Sequence, residues 1–143
     1  MATINPYLAF NGNCEEVFIF YKSVFGGEFA FVGRFKDMPA ENACRKEDEE
    51  KIMHIALPIS KETVLMGSDV TEETGGAPQV GDNITIAISP DSEQQARELF
   101  EGLSVGGTIK MPLDKTFWGA LFGMFEDKFG VNWLVNYEFE QAK

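Results

Sequence analysis

The feature that most constrains this chain is an internal repeat. Residues 83–89, N-I-T-I-A-I-S, match residues 5–11, N-P-Y-L-A-F-N, at an offset of 78. Downstream, the apolar stripe Ala96, Leu99, Phe100 and Leu103 matches Val17, Phe20, Tyr21 and Val24 at an offset of 79. The one-residue slip falls in a turn, where insertions are tolerated. Gly106-Gly107 answers Gly26-Gly27. A sequence that repeats its strand, its helix stripe and its glycine stop folds as two copies of one supersecondary unit.

The contents of each copy follow from periodicity. Residues 4–10 read as a strand and Asn11 to Asn13 as a turn. Asn13 is placed to cap a helix, with Glu16 in a capping-box position. The spacing of Val17, Phe20, Tyr21, Val24 and Phe25 predicts one apolar helix face, closed by Gly26-Gly27. F-A-F-V-G-R-F then predicts a strand burying Phe29, Phe31 and Phe35. Residues 37–51 are polar, contain Pro39 and read as a loop. Apolar runs at 52–58 and 62–67 around S-K-E signal a hairpin.

Residues 69–82 are polar with three glycines and one proline, and read as a linker. In the second copy Asp91 or Ser92 caps the helix, and strands are expected near 108–113, 118–126 and 131–138. The expected fold is α+β: two tandem βαβββ modules forming a curved mixed sheet around a cleft. The whole chain, 1–143, reads as one domain, with module one at about 1–70, the linker at about 70–81 and module two at about 82–143.

Composition narrows the partners. Twelve Lys+Arg against 23 Asp+Glu gives a net charge of −11, which repels phosphate backbones and anionic membranes, so neither nucleic acid nor membrane is an expected partner. No run of apolar residues is long enough to span a bilayer, and M-A-T-I-N-P-Y-L lacks signal-peptide character. Cys14 and Cys44 are too few for a disulfide framework and match no zinc spacing. These features point to a cytoplasmic protein.

Strand alternation assigns faces. Pro6, Leu8 and Phe10 share one face of the first strand; Asn5, Tyr7 and Ala9 share the other. Ile84, Ile86 and Ile88 oppose Asn83, Thr85, Ala87 and Ser89. In the last strand Val131, Trp133, Val135 and Tyr137 face the helix layer, leaving Asn132, Leu134 and Asn136. The apolar sets pack under the helices; the mixed sets line a ligand cleft.

The run Y-L-A-F-N-G-N-C-E-E-V-F-I-F-Y-K-S-V-F-G-G-E, with I-M-H-I-A-L, L-M-G-S-D and D-K-F-G-V-N-W-L-V-N, resembles the PhnB-like branch of the vicinal oxygen chelate superfamily, which includes glyoxalase I, bleomycin- and fosfomycin-resistance proteins and extradiol dioxygenases. The resemblance spans Tyr7 to Asn136. It implies a homodimer and a cleft in which superfamily enzymes hold a metal with His or Glu from the first and last strands of each module. The equivalent stations here are Asn5 or Pro6, the Val64–Gly67 stretch, Asn83 and Leu134. None supplies the imidazole, carboxylate or thiolate a divalent metal takes, so no metal or other cofactor is expected. Members of the branch are also described as demethylubiquinone methyltransferases. A methyl-donor fold needs a glycine-rich strand-to-helix turn, whereas Gly26-Gly27 and Gly106-Gly107 follow helices and Gly75-Gly76 lies in the linker.

The cleft candidates are Asn5, Tyr7, His54, Asn83, Thr85, Trp118 and Leu134. His54, the only histidine, is either a base or orienting donor in the cleft or a hydrogen-bonded structural residue. Tyr7 either bonds a ligand or is a sheet-face aromatic with a wetted hydroxyl. Trp118 is a lid or a packing residue, and Trp133 belongs to the core. Cys14 lies on the buried helix stripe as an inert thiol, and Cys44 is the more accessible of the two. Asp69 either binds a ligand amine or caps a turn. The acidic run Glu47 to Glu50 is a solvated loop face. The function these features favour is metal-free binding of a small organic ligand, neutral or cationic, with no catalytic residue. The alternative is a metal-dependent glyoxalase, lyase or dioxygenase whose site is rearranged around His54 or Asp69.

Overall fold

A computed structural model describes residues 2–37, 45–72 and 75–139. Pro39 and Cys44 lie outside the described residues. The chain separates into two compact units, Met1–Gln79 and Val80–Lys143.

In the first unit β1 (Tyr7–Phe10) leads to α1 (Cys14–Phe25), then β2 (Phe31–Arg34), β3 (Ile52–Pro58) and β4 (Val64–Asp69). The sheet order is β1-β4-β3-β2, with β1 parallel to β4 and the other pairs antiparallel. The second unit repeats this with β5 (Ile86–Ile88), α2 (Glu93–Leu103), β6 (Thr108–Lys115), β7 (Ala120–Glu126) and β8 (Asn132–Glu138) in the order β5-β8-β7-β6. These are two mixed four-stranded sheets, each with one helix: the α+β architecture of tandem βαβββ modules.

The helices differ in how well the sequence describes them. All four residues of the predicted α2 stripe, Ala96, Leu99, Phe100 and Leu103, are buried. The Ser92 hydroxyl accepts the Gln95 N–H at 3.0 Å as N-cap. In α1 the buried set is Cys14, Val17, Phe18 and Tyr21, whereas Phe20, Val24 and Phe25 are only half-buried. Phe18 replaces them because β4 makes room for it. A Cβ on Gly67 would lie 2.7 Å from the Phe18 ring and 2.8 Å from the Leu8 carbonyl oxygen, so glycine is required for that ring to reach the sheet. Phe18 then packs edge-on against Phe10 and Tyr21.

The predicted capping box at Asn13 and Glu16 does not form; Asn13 makes no side-chain cap bond. Asp69, at the end of β4, does this work instead. Its Oδ1 accepts the Gly12 and Cys14 N–H groups and its Oδ2 accepts the Ile52 N–H, each at 2.9 Å. A buried carboxylate outcompetes a local neutral amide for orphan helix donors because charge-assisted bonds are stronger.

Both leading strands are shorter than predicted. Pro6 has no N–H to give the ladder; its carbonyl still accepts the Met66 N–H at 3.1 Å, and beyond it Asn5 Oδ1 accepts the Val64 N–H at 2.9 Å. On β5, the parallel register with Ile86 opposite Trp133 would set Asn83 against Gly130, inside the β7–β8 turn, where no strand remains to pair. Asn83 and Ile84 are accordingly exposed.

The β2 prediction also needs correction. The strand starts at Phe31, its register shifts between Gly33 and Arg34, and Phe35 has left it for a 3-10 turn. Of the three phenylalanines expected to be buried together, Phe35 is buried, Phe29 half-buried and Phe31 49 % exposed. In the loop before β3 a 3-10 turn spans Lys46–Asp48. Glu47, Glu49 and Glu50 are solvated as expected, but Asp48 is buried and pairs with Lys51 at 2.8 Å.

Candidate functional site

Each sheet has one face against its helix and one face away from it, here called the open face. In the first unit strand register assigns the open face row by row. Tyr7, Met66, Ala56 and Phe31 stand opposite one another across all four strands. The next row holds Ala9, Ser68, His54 and Gly33. The second row is small except for the histidine, so the imidazole stands clear of its neighbours and reaches diagonally to both aromatics.

The Tyr7 and His54 rings stack at 5.7 Å between centroids with a 28° interplanar angle. Tyr7 Oη and His54 Nδ1 are 3.4 Å apart, a long hydrogen bond whose direction follows the imidazole tautomer. On the other side the Phe31 ring is 5.6 Å from His54. Gly33 is what allows this: a Cβ there would sit 2.7 Å from the Phe31 ring. Tyr7, 51 % exposed, His54 and Phe31 thus form a continuous aromatic wall over a floor of Ala9, Ala56 and Ser68.

The second unit's open face carries Leu134 between Ala87 and Met124, with Met111 beyond. Asn136 is opposite Phe122, and Trp118 packs edge-on against Phe122 at 6.0 Å. Trp118 is 53 % exposed and Phe117, beside it in the β6–β7 turn, 97 %. Asn132 Oδ1 accepts from Lys110 Nζ at 2.9 Å.

The seven candidates therefore separate. Tyr7 and His54 are brought together. Leu134 and Trp118 lie on the open side of the second sheet. Asn5 is engaged in backbone support, Asn83 is exposed ahead of β5, and Thr85 is half-buried just before that strand. Phe31 and Phe122 were missed as candidates, and Asn136 was placed on the cleft-lining face without being singled out. Alternation alone would have found Phe122, which shares a face with Leu134. Phe31 was hidden by the bulge beside it.

The remaining polar candidates are structural. Asp69 spends both carboxylate oxygens on three backbone N–H groups and is buried, which closes it to an amine or an ion. Cys14 is fully buried, and burial, reinforced by Asp69 and Glu15, pushes its thiol far above the usual range, so it stays protonated and inert. Trp133 is core, with its indole N–H donating to Asp127 Oδ2 at 2.9 Å.

The donor set does not fit a resident metal. The stations implied by the resemblance hold a bonded Asn5 amide, Pro6, the Val64–Gly67 stretch, an exposed Asn83 and Leu134. Among the described residues no three His, Cys, Asp or Glu side chains converge.

Comparison with known proteins agrees with the tandem βαβββ fold. The sequence profile of the glyoxalase/bleomycin resistance protein/dioxygenase superfamily matches residues 3–135. Protein PA1353 from Pseudomonas aeruginosa, a crystal structure, superposes with a TM-score of 0.85 at 38% identity, covering 98% of this chain and 100% of that one. The PhnB protein from Bacillus cereus superposes at 0.68 with 25% identity, covering 95% and 99%. Protein YjdN of Escherichia coli is 29% identical over 141 residues, 93% of each chain. Among the described residues no helix is long and apolar enough to cross a membrane.

Proposed function

As the chain belongs to the glyoxalase/bleomycin resistance protein/dioxygenase superfamily, we propose that it is a PhnB-like small-molecule-binding protein that works without a catalytic metal. The observation that carries this is the Tyr7–His54–Phe31 wall. Large aromatics are normally spent on the core. Here three rings stand on a sheet face away from the helix, over small residues that leave room above them. Such a bed stacks a planar ligand, and the Tyr7 hydroxyl and His54 imidazole supply the few polar contacts that orient it. With a net charge of −11 the chain repels anions at long range, so the ligand is neutral or cationic.

The metal-dependent alternative has less support. It needs Asp69 or an equivalent carboxylate beside His54, and freeing Asp69 would strip the start of α1 of its acceptor. The protein is further proposed to act as a cytoplasmic homodimer. Phe35 and Phe125 are buried within their units, but Phe31 and Phe117 are exposed, and exposed aromatics of this size mark interfaces.

The test uses three probes of one shape and different charge: 1-naphthylmethylamine, 2-naphthol and 2-naphthoate, titrated calorimetrically. The amine and the naphthol bind, the naphthoate binds least, and Phe31→Ala with Tyr7→Ala abolishes binding while α1 and the melting transition persist. Failure of all three probes at millimolar concentration, or equal binding by the double variant, refutes the assignment.

A further inference from the structure

The connection from β1 to α1 carries the dipeptide Asn11-Gly12, and Asn11 is exposed. Asparagine followed by glycine is the pair most prone to deamidation, because glycine has no side chain to shield its own backbone nitrogen. The Gly12 nitrogen attacks Asn11 Cγ, the Cγ–Nδ2 bond breaks, and ammonia leaves with the proton that the backbone nitrogen gave up. Water then opens the resulting succinimide at either carbonyl. One product is an ordinary aspartate at position 11. The other is an isoaspartate, whose backbone runs through the side chain and is one carbon longer.

In this fold the attacking nitrogen is occupied. The Gly12 N–H donates to Asp69 Oδ1 at 2.9 Å, and the same oxygen accepts the Cys14 N–H at 2.9 Å. Attack requires the amide to lose its proton. That would set a nitrogen anion against the buried Asp69 carboxylate, where like charges repel more strongly than in water. The flanking backbone is held as well: Phe10 stands opposite Asp69 in the parallel pairing, and its carbonyl accepts the Val70 N–H at 2.7 Å. Gly12 itself has φ 94°, which favours glycine. The connection therefore resists a bulkier residue that would slow the reaction, and protection falls to Asp69.

We propose that Asn11 is a modification site of this protein, open to deamidation and guarded by Asp69. The reaction runs in molecules whose Gly12–Asp69 bond has opened. The isoaspartyl product does not rebuild the native connection. Residues 11–13 span the gap from Phe10 to Cys14, and one more backbone carbon moves the Gly12 N–H off an oxygen that Cys14 also needs. The start of α1 then loses part of its cap. The chemistry of the product fits one class of enzyme, a carboxyl methyltransferase directed at isoaspartate.

The experiment incubates the full chain at mildly alkaline pH, native and in urea, and peptide maps follow the loss of ammonia at Asn11. Transfer of labelled methyl groups by an isoaspartyl carboxyl methyltransferase measures the isoaspartate formed. Native wild type reacts at least about tenfold more slowly than the urea-unfolded chain, the scale of one hydrogen bond to a charged group. Asp69→Ala is compared with Leu57→Ala, a core truncation at the far end of β3, at urea concentrations that unfold equal fractions of both. Asp69→Ala then deamidates about tenfold faster. The isoaspartyl form, purified chromatographically, melts below Asn11→Asp, which has the same added charge on an ordinary backbone. A native wild-type rate within about twofold of the unfolded rate overturns the guard, and this comparison needs no variant to fold. Equal rates in the two variants make the opening global, and a slower rate in Asp69→Ala makes the carboxylate a base; each overturns the guard. An isoaspartyl form that melts with Asn11→Asp overturns the damage to the α1 cap.

Discussion

Replacing Asp69 tests the structural account of the first unit, because one side chain there ties together three segments distant in sequence. Asp69→Ala removes the acceptor of three backbone N–H groups, from Gly12, Cys14 and Ile52. Two of those bonds are buried and that of Gly12 is partly so, so water can replace at most one of them. An unsatisfied buried donor costs about 1–3 kcal/mol. Two such donors cost about 2–6 kcal/mol, and the desolvation of a charged group that no longer has to be buried takes back part of it, which leaves a loss of about 1–5 kcal/mol against the about 5–15 kcal/mol that holds a domain together. Asp69→Asn keeps one oxygen but sets an NH2 against a backbone N–H, so its loss is intermediate. Urea unfolding at pH 7, followed by circular dichroism, gives both values. A loss below about 1 kcal/mol for Asp69→Ala with an unchanged denaturant slope refutes the assignment of Asp69 as the cap of α1. So does normal stability accompanied by lost binding of amine probes, which would make it a ligand contact.

Tyr7→Phe removes a hydroxyl that is largely solvent-facing and makes only one long hydrogen bond; stability falls by less than about 1.5 kcal/mol in denaturant unfolding, and a larger loss removes Tyr7 from the open-face site. The Arg34 guanidinium, bonded to both Glu15 oxygens, holds the Glu15 carboxyl below the usual range. A depressed carboxyl stabilises the fold above its unfolded pKa, and that contribution is lost as pH falls through the folded value. Arg34→Ala therefore costs a few tenths to about 1 kcal/mol at neutral pH and less near pH 3, and equal losses at both pH values contradict the pairing. Static light scattering at micromolar concentration gives a mass about twice the 15.9 kDa of one chain; a monomer mass ends the homodimer proposal. Protein purified without chelator or affinity tag carries well under one equivalent of nickel, zinc, manganese or iron, and near-stoichiometric metal lost in His54→Ala reinstates the metal-dependent reading.

Legibility of the sequence followed the range of the interactions involved. The α2 stripe and its Ser92 cap are local, and both were readable because i, i+3, i+4 spacing and an N-cap serine act within one turn. The start of α1 was misread because its cap comes from Asp69, which no local pattern links to Asn13. Phe18 escaped the apolar stripe of α1 because the space it fills exists only where Gly67 of β4 passes under it. Alternation placed Tyr7 and Leu134 on open faces, but His54 reaches Tyr7 and Phe31 only through a register and a bulge set by strand pairing. Alternation placed Asn136 on the face of Leu134, but that its amide oxygen is left without a donor gives no signal in the sequence.

The parallel pairing of β1 with β4, and of β5 with β8, sets an order on the birth of the molecule. Tyr7 lies opposite Met66 and Ile86 opposite Trp133, so each unit is closed by its first and last strands. A ribosome releases the chain from the N-terminus, and β1 emerges long before the strand it must lie beside. Until β4 follows, Tyr7 to Phe10 have no ladder, the first turn of α1 has no Asp69, and Phe18 has no Gly67 to pass over. Closure then spans most of a unit and is slow compared with the hairpins inside it. The repeat limits this delay, since the first unit can close on its own β4 while the second is still being made. Truncation before residue 69 should therefore leave a nascent chain that proteases cut freely, and extension by a few residues past it should confer protection.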